Sequence, residues 1–239
     1  MRDIHELEDF LAGATVADEV HALRPDYRAL LLAVDGIEPA ASDDESEALL
    51  IRAEASAAAR LADRPVEELP HIAAWRDVYR AFGAKPQRTR NSLEALTRRA
   101  ANGLPRVNRL TDIYNAISVS HQLPLGGEDL DAYTSAPHLI RAAGTEPFDT
   151  TAGGETVIEH PDAGEVVWAD SSGVTCRRWN WRQCRRMQLT DDTSAALFIL
   201  DVLDPATDDD LAAAADELTT HLRVLGANVI IVRRLITNN

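Results

Sequence analysis

The amino-acid sequence predicts an α+β fold, in which a helical N-terminal half packs on a mixed β-sheet formed by the C-terminal half. Up to Gly144, apolar residues recur at spacings of three and four between breaks at proline or glycine, which is typical of amphipathic helices. After Gly144, short apolar or alternating segments lie between turn-forming residues, which favours strands. The 239 residues contain no internal repeat and no low-complexity linker, so we expect a single domain over residues 1–239.

The predicted helices of the first half begin and end at recognisable signals. A short helix and an apolar segment, 27–34, precede Ser42-Asp43-Asp44-Glu45, which has the pattern of a capping box with Ser42 as the cap. The alanine-rich helix that follows should end at about Ala62, before a proline. Three more helices are predicted, at about 70–83, 92–101 and 108–122.

The second half is predicted to contain short strands and one helix. Residues 165–169 and 174–177 flank Asp170-Ser171-Ser172-Gly173, whose composition is typical of a hairpin turn. The apolar segment 195–202 is predicted as a strand and residues 206–225 as a helix, whose acidic start suits the helix dipole. Residues 227–233 are predicted as a last strand.

Basic residues are concentrated in two segments of an otherwise acidic chain. The formal net charge is −15, yet the segments Arg76–Arg109 and Arg177–Arg186 hold 14 of the 24 basic residues. A protein that binds DNA without specificity would be basic overall, so we expect no DNA partner. A focused basic cleft for one anionic partner agrees with this distribution.

Several classes of protein are disfavoured by what the sequence lacks. No apolar run approaches the roughly 18–20 residues that span a membrane, and the acidic N-terminus lacks a signal-peptide core, so we expect a cytoplasmic protein that does not bind membranes. The spacing of Cys176 and Cys184 matches no zinc motif, so no metal is expected. A Walker-type loop and a Gly-x-Ser-x-Gly elbow are also missing, and we expect no cofactor.

The run Cys176–Arg186 is the strongest local signal for a ligand site. It contains five arginines, two of the four tryptophans and no acid. Guanidinium groups suit phosphates and carboxylates, and tryptophan faces suit bases or rings. The alternative is that the arginines pack over the tryptophans and pair with acids elsewhere. The candidates are Trp179, Asn180 and Trp181 for substrate binding, and Arg177, Arg178 and Arg182 for phosphate or RNA binding.

A polar stripe on the predicted helix 108–122 is a second candidate. Asn108, Asp112 and Asn115 are spaced at i, i+4 and i+7, so they share one helix face. Amides and a carboxylate suit a small polar ligand, such as an amino-acid ester or a ribose. The alternative is a solvated or capped helix face with no ligand.

Three segments in order resemble a known family. They are 88–96 (RTRNSLEAL), 104–115 (LPRVNRLTDIYN) and 123–129 (LPLGGED). Together they resemble the B3/B4 module of the phenylalanyl-tRNA synthetase beta chain, a tRNA-editing domain, over roughly residues 70–203. The resemblance implies the fold of that module and removal of a misplaced amino acid from tRNA in trans. It also implies that Asn108, Asp112 and Asn115 form the polar helix stripe of the family, with Pro124 and Asp129 in its following turn.

The chain departs from the family pattern at two places. The turn histidine of the family falls at Gly126, and its Gly-Gly-x-Glu segment falls on 183–186, which contains no acid. His121 and Glu94 are therefore the candidates for acid–base catalysis. Their alternatives are a charge–dipole role at a helix end for His121 and an i, i+4 ion pair with Arg98 for Glu94.

Two functional hypotheses follow. The first is an RNA-binding, tRNA-editing-like domain that hydrolyses misacylated aminoacyl-tRNA, with Arg88 and Arg90 as further RNA-binding candidates. The second is a non-catalytic module that binds an amino acid or a small anion in the same pocket. RNA binding should weaken steeply with salt, whereas binding of a small molecule should depend on salt weakly. A third hypothesis is a scaffold whose helical face at 42–63 pairs with a protein partner.

Overall fold

The computed structural model describes residues 1–238. The helices within these residues are α1 (Ile4–Ala12), α2 (Asp18–Leu23), α3 (Asp44–Leu61), α4 (Pro70–Ala81), α5 (Ser92–Ala100), α6 (Arg109–His121) and α7 (Asp208–Arg223). The strands are β1 (Thr15–Val16), β2 (Arg28–Asp35), β3 (Leu125–Asp129), β4 (His138–Arg141), β5 (Phe148–Ala152), β6 (Glu155–Glu159), β7 (Val166–Asp170), β8 (Gly173–Arg177), β9 (Arg182–Gln183), β10 (Ala195–Val202) and β11 (Ile230–Ile236).

A four-stranded antiparallel sheet forms the centre of the fold, with the order β11–β2–β10–β3. Side chains alternate between the two faces of a strand. Phe198 and Leu200 pack in one apolar cluster with α3, α6 and α7, whereas Leu197 and Ile199 pack in a second cluster with Trp75 and Trp168. Because both faces are covered, all eight residues of β10 are buried and its sequence is almost continuously apolar.

A second sheet has the order β1–β4–β7–β8–β9. Strands β1 and β4 are parallel and the other pairs are antiparallel, so this sheet is mixed. Strands β5 and β6 form a separate hairpin. Trp168 of β7 packs in the same cluster as Leu197 of β10, which places the β8–β9 turn, residues 178–181, over the central sheet.

The α+β class predicted from the sequence is confirmed, with a different distribution of elements along the chain. Segment 27–34, in the helical half, forms most of β2, a central strand, because β11 and β10 pair with it on both sides. The predicted cap at Ser42 is wrong by one residue. Asp43 caps α3 by accepting from the Ser46 backbone N–H at 2.8 Å, whereas the Ser42 hydroxyl donates to Asp112.

Within residues 1–238, none of the helices combines the length and the apolar character that crossing a bilayer requires.

Candidate functional site

A cavity of about 270 Å³ opens between α5, α6 and the two sheets, and it is called the site cavity below. It contains parts of both segments that the sequence singled out, the polar helix and the arginine–tryptophan run. Its lining residues are Ser92, Ala95, Leu96, Tyr114, Asn115, Leu125, Gly126, Gly127, Glu128, Trp168, Cys176, Trp179, Asn180, Trp181, Arg182, Gln183, Ile199 and Asp201.

The β8–β9 turn is held in place by the complete burial of Trp179. Its ring meets Tyr27 and Trp75 edge to face, at centroid distances of 4.8 and 5.4 Å. Arg178 and Trp179 both adopt left-handed backbone conformations, with φ of 49° and 68°. Such conformations are costly for residues with a side chain, so packing of the indole must stabilise the turn.

Asn180 joins this turn to three other parts of the fold. Its amide oxygen accepts a hydrogen bond from the Tyr79 hydroxyl at 2.9 Å, and its amide nitrogen donates to Asp201 at 3.2 Å. The backbone N–H of Ser92, at the start of α5, donates to the Asn180 carbonyl at 2.9 Å. Asn180 therefore fixes the wall of the cavity as well as lining it.

Two buried carboxyl groups line the cavity, and neither was among the candidates from the sequence. Asp201 accepts from the Tyr27 hydroxyl at 2.6 Å, and burial raises its pKa to about 7. Glu128 accepts from the Tyr133 hydroxyl, and burial raises its pKa to about 7 as well. An acid within the otherwise apolar strand 195–202 was the available signal for Asp201, because buried acids with perturbed pKa values cluster at functional sites.

Of the polar stripe on α6, only Asn115 reaches the cavity. The residue is 6% exposed, and its side-chain amide has no hydrogen-bond partner within residues 1–238. Asn108 instead caps α6, accepting from the Thr111 N–H and donating to the Leu189 carbonyl, both at 2.9 Å. Asp112 is fully buried and accepts from the Val107 N–H at 2.8 Å. The stripe is thus two structural residues and one cavity residue.

The two candidates for acid–base catalysis lie outside the cavity lining. His121 ends α6 on the side of α7, and its Nε2 is 2.6 Å from Glu217 Oε2. Glu94 is fully buried and accepts from Arg76 Nη1 at 2.8 Å and Arg98 Nε at 3.0 Å. The i, i+4 pair that was the alternative for Glu94 is present, and neither residue lines the cavity.

Two of the candidate arginines are engaged with carboxylates of this chain. Arg177 is 7% exposed and donates to both Glu165 oxygens, at 2.9 and 2.8 Å. Arg178 lies 3.4 Å from Glu165 and over the Trp181 ring, 4.6 Å from its centroid. The alternative interpretation of the run, packing over tryptophan together with acid pairing, describes both residues.

Other arginines surround the mouth of the cavity. A depression lined by Arg88, Arg90 and Arg98 shares Ala95 and Trp181 with the cavity, and one on the other side contains Arg182 and Arg185. These five arginines are called the arginine rim below. Within the part of the chain that the structure describes, the side chains of Arg88 and Arg185 pair with no acid, whereas weaker contacts of 3.7 Å join Arg90 to Glu94 and Arg182 to Glu159.

Comparison with known proteins adds a family to this geometry. The model of the B3/4 domain family matches residues 74–221, which is more than half of the chain. The chain belongs to the B3/4 domain family. The resemblance seen in the sequence over roughly residues 70–203 is thereby confirmed. No curated protein matches the chain.

One similar solved structure is an N-terminal fragment of the phenylalanyl-tRNA synthetase beta-subunit from Pyrococcus horikoshii. The sequence identity is 12% and the TM-score is 0.45, over 92% of this chain and 53% of that chain. This B3/4 chain therefore spans about half the length of that fragment.

Two neighbouring glycines of this B3/4 domain face different surroundings. A Cβ atom added at Gly126, the position of the family histidine, would meet nothing within 4 Å. A Cβ atom added at Gly127 would lie 2.9 Å from carbon atoms of Leu189, Phe198 and Tyr114. Gly127 is therefore required for packing, whereas Gly126 leaves open space beside the cavity.

Proposed function

We propose that this chain binds aminoacyl-tRNA, with the aminoacyl group in the site cavity and the RNA on the arginine rim, and that it hydrolyses the ester in trans. The observation that carries the proposal is that the cavity opens at the centre of the rim. Membership in the B3/4 domain family supports the same chemistry, since the family resembles the editing module of a tRNA synthetase.

The rim has the residue types that bind single-stranded RNA. Cationic side chains attract the phosphate backbone, and aromatic faces stack on bases. Trp181 is partly exposed between the two arginine groups, and Arg88 and Arg185 have no competing acid within residues 1–238. The acidic remainder of the protein, with a net charge of −15, repels RNA and so confines it to this surface.

The cavity has the size and the lining for a group as small as an amino acid. Sites for small molecules usually measure about 300–1,000 Å³, and this cavity of about 270 Å³ is near the lower end. Tryptophan, leucine and isoleucine side chains supply apolar surface, and Asn115, Asn180 and Gln183 supply directional hydrogen-bonding groups. A nucleotide base with its sugar and phosphates would need more room.

Hydrolysis of the ester requires a placed water and a donor for the developing oxyanion, and a side-chain nucleophile is not essential. We propose that the Asn115 amide, which has no partner within residues 1–238, donates the hydrogen bond that stabilises the oxyanion. The water adds to the ester carbonyl, the bond from the carbonyl carbon to the ribose oxygen breaks, and a proton from the water is transferred to the departing ribose oxygen, which becomes a hydroxyl. The free amino acid and the tRNA then leave separately.

A second candidate function is binding of an amino acid without catalysis. Two observations favour it: His121 and Glu94 are engaged elsewhere, and the family histidine is replaced by Gly126, which has no side chain. The same cavity would then serve as a binding pocket only.

Deacylation of a panel of correctly and wrongly charged tRNAs tests the proposal. We expect cleavage of at least one misacylated tRNA, and a rate roughly a hundredfold lower for Asn115→Ala, as for loss of an oxyanion donor. Asn102→Ala removes an exposed asparagine outside the cavity and should keep the wild-type rate. If no charged tRNA is cleaved while amino acids still bind in calorimetry, the binding module is correct and the hydrolase is not.

A further inference from the structure

The floor of the site cavity carries two acids that have only neutral hydrogen-bond donors. Asp201 and Glu128 are 2% and 3% exposed and belong to the adjacent strands β10 and β3, where Glu128 is paired with Leu197, four residues before Asp201 and on the same face of the strand. Their side-chain donors are the hydroxyls of Tyr27 and Tyr133 and the amide of Asn180. Neither carboxylate forms an ion pair within residues 1–238.

Most other buried acids of this chain have a guanidinium partner. The pairs are Asp35 with Arg2, Glu94 with Arg76, Glu165 with Arg177 and Asp170 with Arg186. Asp112 is the exception, but it lies outside the cavity lining and holds a loop through the Ser42 hydroxyl and a backbone N–H. Burying a carboxylate without a cation is unfavourable, so an open cavity with two such groups is suited to a cationic ligand.

We propose that Asp201 and Glu128 bind a protonated amine of the ligand at the floor of the site cavity. The inference rests on the proposed function, since it specifies the chemistry of the aminoacyl group that enters. An independent observation supports a ligand here: Asn115, a residue more than nine-tenths buried, lines the same cavity, and its side-chain amide has no partner within residues 1–238. The amine of an aminoacyl group is either the α-ammonium or an ammonium on the side chain.

The electrostatics of the floor give the proposal a second readout. Burial is the largest cause of the raised pKa of both acids, each about 7. The negative charge of Glu128 raises the pKa of Asp201 further. The groups that face Asp201 include Tyr27, Tyr79, Trp168, Cys176 and Asn180. Those that face Glu128 include Tyr114, Tyr133, Thr175, Cys176, Cys184, Asp170 and Arg186, with Arg186 itself paired to Asp170 at 2.6 Å.

An ammonium group stabilises the ionised form of both acids, so its binding lowers their pKa values. Near pH 7 each acid is partly protonated, and binding should therefore release protons to the buffer. Affinity for the amine should rise from pH 5 to pH 7, below the range of about 7.7–8.0 in which an α-ammonium loses its own proton, for the same reason. A neutral ligand that donates only a hydroxyl would release fewer protons.

Four small amides, titrated into the full chain by calorimetry, test the proposal and separate the two sources of the amine. They are L-lysinamide, L-norleucinamide, Nα-acetyl-L-lysinamide and Nα-acetyl-L-norleucinamide, which share one chain length and differ in charge. We expect the uncharged Nα-acetyl-L-norleucinamide to bind at least tenfold more weakly than L-lysinamide. Tighter binding of L-norleucinamide than of Nα-acetyl-L-lysinamide assigns the site to the α-ammonium, and the reverse order assigns it to a side-chain ammonium.

Variants locate the site. Asp201→Asn and Glu128→Gln keep the shape of the side chain. Each should lower the affinity for L-lysinamide about tenfold and reduce the number of protons released on binding. Asp191→Asn, which changes an exposed acid outside the cavity, should do neither. If Asp201→Asn fails to fold, the Glu128→Gln variant and the titration of the four amides into the wild-type protein still test the proposal.

The proposal is overturned if the uncharged amide binds as tightly as L-lysinamide, if no amide binds, or if both variants keep wild-type affinity. Because the probes contain no RNA, such a result together with active deacylation of tRNA would contradict the ammonium site and still support the proposed hydrolase. Amine binding without deacylation of any charged tRNA would contradict the proposed hydrolase and still support the ammonium site.

Discussion

The contrast between Gly126 and Gly127 gives a sharp test of how strand β3 packs. A methyl group at Gly127 would sit 2.9 Å from the carbon atoms of three large side chains, a separation that native cores do not tolerate. Overpacking of this kind costs about 1–3 kcal/mol. A methyl group at Gly126 would meet open space, and neither backbone adopts positive φ, so Gly126→Ala costs no packing energy.

Both variants should be compared with the wild type by urea denaturation and by thermal melting. Replacing glycine by alanine restricts the unfolded chain equally at the two positions, so the difference between the variants isolates the contact term. For a domain of this size, about 1–3 kcal/mol corresponds to a melting temperature lower by roughly 2–12 °C for Gly127→Ala. Equal stability of the two variants would refute the packing described for β3.

Three other predictions concern the buried polar groups. Asp112→Ala should lower the free energy of unfolding by about 1–3 kcal/mol, since two hydrogen bonds to a fully buried carboxylate are lost, whereas Asn115→Ala should leave urea stability near wild type. Arg177→Ala should cost about 1.5–3 kcal/mol in the same assay, because two hydrogen bonds to the buried Glu165 carboxylate are lost while Arg178, 3.4 Å away, remains as its cation; a loss below 1 kcal/mol would contradict the ion pair. Because the folded pKa of Asp201 is raised to about 7 from 3.8, the folded state holds the extra proton between these values, and stability relative to Asp201→Asn should fall as pH rises from 4 to 8, by up to about 4 kcal/mol. A difference between these two proteins that does not change with pH would contradict the raised pKa.

The fold class was accessible from the sequence because hydrophobic periodicity and helix signals are local. The helices at 44–61, 92–100 and 208–223 follow from such patterns, and so does β10. The role of segment 28–35 was not accessible in this way. A short apolar run is compatible with a strand or a buried helix turn, and its pairing with β10 and β11 connects residues more than 150 positions apart.

The site was accessible only in part. Residue type and resemblance brought Asn115, Trp179, Asn180, Trp181 and Arg182 into the list of candidates, and all five line one cavity. The family pattern is specific because it records which residues share a helix and a turn. However, it indicated only that Gly126 replaces a histidine, and it gave no signal for Glu128, two residues later.

Other candidates illustrate what spacing leaves undetermined. Asn108 and Asp112 share a helix face with Asn115, but both are structural: Asn108 donates to the Leu189 carbonyl in the segment before β10, and Asp112 accepts from the Ser42 hydroxyl in the loop before α3. Arg177 lies in a basic run, yet Glu165, twelve residues earlier, pairs with it across the turn. Long-range pairing of this kind depends on tertiary contacts that local sequence does not reveal.

We propose that the arginine rim binds the RNA that carries the aminoacyl group, and the salt dependence of tRNA binding tests this proposal. The dissociation constant should be measured over a series of salt concentrations for the wild type, for Arg88→Ala with Arg185→Ala, and for Arg64→Ala with Arg223→Ala. The control pair removes the same charge from exposed arginines outside the rim. In the rim variant alone, we expect weaker tRNA binding. The slope of the logarithm of the tRNA binding constant against the logarithm of the salt concentration should fall in magnitude by roughly 0.7 for each lost phosphate contact. Unchanged binding in the rim variant, or an equal loss in the control, would contradict the proposal.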